Sequence, residues 1–396
     1  MKKVLLTTTA LTFAAGSALA AGPTVTIGGS IDAQVGVANQ ESAYEASGNE
    51  GGVYTRDAHS QTDTEIHVKV DGRTDSGLGY GANIELEADV NTDDNTNGTA
   101  NNNAERGFVY VESALGRVEA GATGSASEAL QVDASTLARA TGGIAGDFYD
   151  YIDLDGSATN GVGAGTTAFY ALAGLPTAQG LVQVDADDLA VNDTATANKI
   201  SYYSPRVAGL QAGVSFTPDL QERGTSKGFS GSNGTGSTAL EDIWNLGLNY
   251  QGQYDEVGIE ASATGEFGES EAAANDDLEA YSLGLNLTFA GVTVGGSWLQ
   301  ADEFGRATST EAEAWTLGAA YEFGPFAASV TYLESELEAA GSVDAEFENL
   351  VFGADYQLAP GLVPYVEVAF FDADDNTAGT ADNDGSLVIV GTELTF

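Results

Sequence analysis

From Thr24 onward, apolar and polar residues alternate with a period of two. In the first such segment Val25, Ile27, Ile31, Val35 and Val37 share one face, and Thr24, Thr26, Ser30, Asp32 and Gln34 share the other. Successive side chains of a strand point to opposite sides, so this pattern predicts a strand. The next segments repeat it. Ile66, Val68 and Val70 alternate with Glu65, His67, Lys69 and Asp71, and Leu78, Tyr80, Ile84 and Leu86 stand against Asn83, Glu85 and Glu87. The clearest is Tyr281, Leu283, Leu285, Leu287 and Phe289 against Ser282, Gly284, Asn286 and Thr288. Around 105–112 the face is open, because Phe108, Val109, Tyr110 and Val111 run together. About sixteen strands are predicted, five before residue 122 and eleven after 198.

The connections alternate too. They are long after odd-numbered strands and short after even ones, where SALG, AG, GP and LAPG stand. An even-stranded up-and-down barrel, with one rim of short turns and one of long loops, produces this rhythm. No run of about eighteen apolar residues predicts a membrane helix. A barrel strand crosses with only about ten residues of alternating polarity. A soluble β-sandwich also alternates, but aromatics gather at the strand ends here, among them Tyr80, Tyr250, Tyr281, Phe289, Trp298, Tyr321, Phe323 and Phe326. Membrane-interface belts have that composition. Sixteen strands also exceed an ordinary sandwich. The expected fold is all-β: a transmembrane antiparallel barrel spanning 21–396.

One stretch breaks the rhythm. Gly121 to Asn198 is too long for an ordinary connection. The expectation is an inward constriction loop, about 122–198, folded into the barrel mouth. Its acids Glu128, Asp133, Asp147, Asp150, Asp153 and Asp155 would face bases on the wall. The wall candidates are Lys69, Arg106, Arg117 and Lys199.

Charge and composition narrow the function. Residues 1–20 predict a cleaved signal peptide: a basic Met1-Lys2-Lys3 start, a short apolar stretch and Ala18-Leu19-Ala20. Without Lys2 and Lys3 the mature charge is 11 − 59 = −48. A nucleic-acid partner needs a basic face and is excluded. Cys is absent, which removes disulfides, thiolate chemistry and Cys-rich zinc sites. Only His59 and His67 occur, without HExxH spacing or a GxSxG elbow, so no catalytic set is expected. Gly234 to Ala239 imitates a dinucleotide fingerprint but lacks the preceding apolar strand.

Four stretches resemble Gram-negative general porins, most closely the Rhodobacter type. They are TDSGLGYGANIELEA (74–88), LGRVEAGATGSASEAL (115–130), SPRVAGLQAGVSF (204–216) and the closing LVIVGTELTF. The resemblance spans essentially the whole mature chain. It implies a sixteen-stranded barrel forming homotrimers in the outer membrane, amid lipid and lipopolysaccharide. It also implies a third long loop that narrows a water-filled passage for ions and small hydrophilic solutes. No cofactor is required. Calcium is a candidate ligand of acidic loops at Asp93, Asp94, Asp372, Asp374 and Asp375, since related porins bind it there. The second cluster does not follow an EF-hand loop, with Thr377 at position six and Asn383 at position twelve. Cation selectivity is expected from the acidic excess. A structural or adhesin barrel, or a barrel enzyme, is the alternative.

Overall fold

A computed structural model describes residues 22–41, 58–88, 104, 106–152, 197–220, 240–270, 276–304, 310–339, 345–374 and 382–396. Sixteen strands build it. The first five are β1 (Thr24–Asn39), β2 (Ala58–Arg73), β3 (Gly79–Glu87), β4 (Arg106–Ser113) and β5 (Gly116–Ala122). Then follow β6 (Asn198–Tyr203), β7 (Leu210–Asp219), β8 (Leu240–Tyr254), β9 (Val257–Ser270), β10 (Leu278–Phe289) and β11 (Val292–Phe304). The last are β12 (Thr310–Phe323), β13 (Phe326–Ala339), β14 (Ala345–Tyr356), β15 (Leu362–Asp374) and β16 (Asn383–Thr395). Every neighbouring pair is antiparallel, and β1 pairs with both β2 and β16, so the sheet closes. At the seam Gly29 and Phe396 exchange two backbone hydrogen bonds of 3.0 Å.

The alternation decides which face is which. Outward positions are apolar and exposed, as at Ile27 (60%), Val109 (58%) and Leu317 (61%). Inward neighbours such as Asp32, Gln34, Ser201, Asn249 and Ser262 are polar. Within β4 the outward residues are Val109 and Val111, while Phe108 and Tyr110 turn inward. A water-soluble protein would not leave so large an apolar belt uncovered. Two aromatic rows bound the belt. Near the short turns Tyr321, Phe323, Phe326 and Tyr356 stack in sequence, with centroids 4.5 to 5.4 Å apart. Toward the long loops stand Phe216–Trp244, Phe267–Tyr281 and Trp298–Trp315. Short turns use backbone freedom where they must: Ala290 and Gly291 both have positive φ (51° and 82°), as a two-residue hairpin turn requires.

Candidate functional site

Between β5 and β6, residues 123–152 turn back onto the inward face of the wall. A helix, α1 (Ala126–Leu130), opens the segment. Ser125 caps it: its Oγ accepts the Glu128 N–H, and Glu128 Oε2 accepts the Ser125 N–H at 3.1 Å. This S-x-x-E pairing satisfies donors that a helix start leaves open. Three 3-10 turns follow, Ala134–Leu137, Gly143–Ala145 and Asp147–Tyr151.

The segment contacts the wall in order around the barrel. Ala126 N–H donates to Ser215 on β7 (2.8 Å), and Asn249 on β8 donates to the Leu130 carbonyl (3.1 Å). Val132 N–H donates to Ser262 on β9 (2.9 Å), Ala134 N–H to Thr316 on β12 (3.1 Å) and Arg139 N–H to Ser329 on β13 (2.9 Å). Glu367 on β15 accepts from the Thr141 hydroxyl (2.8 Å) and from the N–H groups of Thr141 and Gly143. Gln34 on β1 donates to Asp147 (2.6 Å), and Gln61 on β2 to Asp150 (2.8 Å). Backbone outside a ladder must find such partners. Ile144, Phe148, Tyr151 and Ile152 bury against Leu333, Phe347, Val351 and Phe371, which interrupt the polar inner face of β13–β15. Burial, then Asp147 and Asp150, push the Tyr151 phenol up, so it stays neutral. Glycines form the seat: a Cβ at Gly284 would collide with the Val132 carbonyl, at Gly247 with that of Ala126, and at Gly353 with that of Arg139.

Opposite β3–β5 the segment stands off the wall, bridged by Arg106 and Glu128. There a cavity of about 700 Å³ lies between the wall (Asn83, Glu85, Arg106, Glu119) and the segment (Glu128, Gln131, Asp133, Thr136). Its lining holds seven carboxylates, Asp32, Glu85, Glu119, Glu128, Asp133, Glu260 and Glu393, against two guanidiniums, Arg106 and Arg206. Arg106 spans the gap, 3.5 Å from Glu85 on the wall and 3.4 Å from Glu128 on the segment. His67 sits between Glu65 (3.0 Å) and Glu85 (3.1 Å).

The predicted site residues separate into groups. Glu128, Asp133 and Arg106 meet at the cavity. Arg117 stands nearer the short-turn mouth, bound to Glu119 at 2.6 Å, and Lys69 lies near Asp71 at 3.8 Å. Asp147 and Asp150 do not line the cavity: wall amides hold them against β1 and β2. Lys199 corrects the expectation of a wall base open to water. Its ammonium is buried and donates to the carbonyls of Thr123 and Ala197, tying together the two ends of the long connection. Asp153, Asp155, Asp93, Asp94 and Asp375 lie outside the described residues. Asp372 and Asp374 are on the outward run of β15, where Asp372 faces Glu348 and Asp384 on the adjacent strands. Among the described residues no three acids or histidines converge as a metal site. The lining also includes Asp32, Arg206, Glu260 and Glu393. The inward parity of Asp32 and Glu260 was readable, but which inward positions the segment leaves uncovered was not.

A closed sixteen-stranded antiparallel barrel, apolar outside and polar inside, defines a transmembrane barrel of the bacterial outer-membrane class. The family model of Gram-negative porins matches residues 7–376, and the chain belongs to that family. Uncharacterized proteins of Rickettsia felis and Rickettsia conorii are each 26% identical, over 73% of this chain and 75% of theirs. Among solved structures, the anion-selective porin of Comamonas acidovorans superposes with a TM-score of 0.60 at 17% identity. It covers 94% of this chain and 100% of its own. A variant of the Rh. blastica porin gives 0.54 at 16% identity with the same coverage. Family and fold together indicate an outer-membrane channel for small solutes, without a catalytic role.

Proposed function

We propose that this porin is a cation-preferring diffusion channel, narrowest where residues 123–152 approach the wall of β3–β5. The observation that carries this is the cavity lining, seven carboxylates to two guanidiniums. Charges around a water-filled cleft with low-dielectric walls concentrate potential in the water between them. Screening acts over about 8 Å at physiological salt, so the field is strong at low salt and fades near molar salt. The anion preference named for the Comamonas porin belongs to a chain 17% identical, and the acidic lining here predicts the opposite sign.

The test is the reversal potential of the purified barrel in a planar bilayer under a KCl gradient. A potassium-favouring potential that grows as salt falls is expected. Chloride preference, or no preference at low salt, overturns the reading. Deleting residues between Ala140 and Ile152 should raise single-channel conductance. Unchanged conductance in a folded barrel would place the narrowest passage elsewhere. The same proposal includes export by residues 1–20 and assembly as a homotrimer in lipopolysaccharide-bearing membrane. Calcium enters it as a neutralising counter-ion near Asp372 and Asp374.

A further inference from the structure

We infer that the short-turn mouth of the barrel holds a docking site for a small oxyanion, a free phosphate or carboxylate, formed by Arg73 and Arg206. A second cavity, of about 520 Å³, opens between three successive short turns, those joining β2 to β3, β4 to β5 and β6 to β7. Arg73, Arg117 and Arg206 line it with a single acid, Glu112. That balance runs against the chain, which has 59 acids and 13 bases.

The nearby acids are already engaged. Arg117 binds Glu119 at 2.6 Å, approaches Glu112 at 3.7 Å and lies 3.7 Å over the Tyr110 ring. Asp71 takes the Tyr110 hydroxyl and lies 3.8 Å from Lys69. Asp75, in the turn beside Arg73, does not line the cavity. Arg206 meets only neutral acceptors: Nη1 donates to the carbonyls of Gly209 (2.7 Å) and Asn249 (3.2 Å). Its Nη2 donates to Gln211 Oε1 and Asn249 Oδ1, both at 2.9 Å. Those four bonds fix the charge in place and leave Nε–H over. Arg73 ends β2 on the inward run of Glu65, His67, Lys69 and Asp71, and no described residue takes any of its five donors. A free guanidinium fork beside a second guanidinium fixed by neutral acceptors alone matches the two oxygens of a carboxylate or phosphate. The acidic passage above repels an anion, so the mouth is where an anion would pause.

The inference relies on the channel reading only for the acidic passage that holds an anion back at this mouth. The test is the ³¹P line width of inorganic phosphate titrated with the purified full-length barrel. A phosphate-free detergent and about 10 mM salt keep screening weak. The native barrel should broaden the line. Arg73→Gln should weaken binding about tenfold, the loss of one charge-assisted contact. Arg73→Gln with Arg206→Gln should abolish it. Arg139→Gln removes the same charge elsewhere and should keep the broadening. Heat-modifiable mobility verifies that each variant is folded. No broadening by the native barrel, or an equal loss in Arg139→Gln, overturns the site. Conductance of the same preparations separates the two readings. A conducting barrel that ignores phosphate sinks only this inference, and a non-conducting one that binds it sinks only the channel.

Discussion

Lys199 ends on the carbonyls of Thr123 and Ala197, one at each end of the connection between β5 and β6. Replacing it with Met keeps the stem and removes the donors, leaving buried carbonyls short of partners. Lys199→Met should cost about 1–3 kcal/mol, read as earlier thermal unfolding, together with noisier single-channel current as the ends of the connection loosen. An unchanged melting profile would mean that water replaces the ammonium without loss. Glu128 has a double duty: it caps α1 through Ser125 and faces Arg106 across the cavity. Glu128→Gln retains an acceptor for the cap but loses the charge, so it should reduce potassium preference while leaving the fold intact. Arg106→Gln should act in the opposite sense and strengthen the preference, since only Arg206 would remain among the lining bases. Both are read from reversal potentials, and movement of the two in the same direction would contradict the assignment.

At the scale of elements, the segment depends on what the wall omits. Gly247, Gly284 and Gly353 give its backbone room that any side chain would fill. Gly284→Val should displace the stretch around Val132 and change conductance while the barrel still forms. Ser125→Ala should cost about 1 kcal/mol of cap stability, seen as easier proteolysis between β5 and β6. The strands themselves were legible because alternation and turn chemistry are local. Val25 to Val37 reads as one face wherever the partner strand lies. The face of β4 was not legible, because Phe108 and Tyr110 are apolar residues pointing inward, where the alternation rule expects polar ones. Leu333, Phe347 and Phe371 break the inner face in the same way, and those breaks mark where the segment docks. The functions of Asp147, Asp150 and Lys199 depend on partners more than 70 residues away in sequence, such as Gln34 and Thr123. Residue type and spacing carry no record of such meetings.

For the whole molecule, the outward surface has a second feature above the aromatic rows. Glu313 faces Glu336, Glu336 faces Glu346, Glu334 faces Glu348, and Glu348 faces Asp372, which faces Asp384. Like charges directly opposite on neighbouring strands each cost about 0.2–1 kcal/mol. Divalent cations should relieve that repulsion. Calcium should raise the melting temperature of the detergent-solubilised barrel and a chelator should lower it, whereas an equal response to matched ionic strength of KCl would reduce the effect to plain screening. The seam between β1 and β16 has a different consequence, one for biogenesis. Ser30 finds its partner at Thr395, so the ends of the sheet meet across nearly the whole chain. Until they do, two long strand edges stand open, and open edges invite pairing with other chains. Defects at this seam should therefore appear as lost yield and aggregated precursor, while every barrel that does close conducts normally.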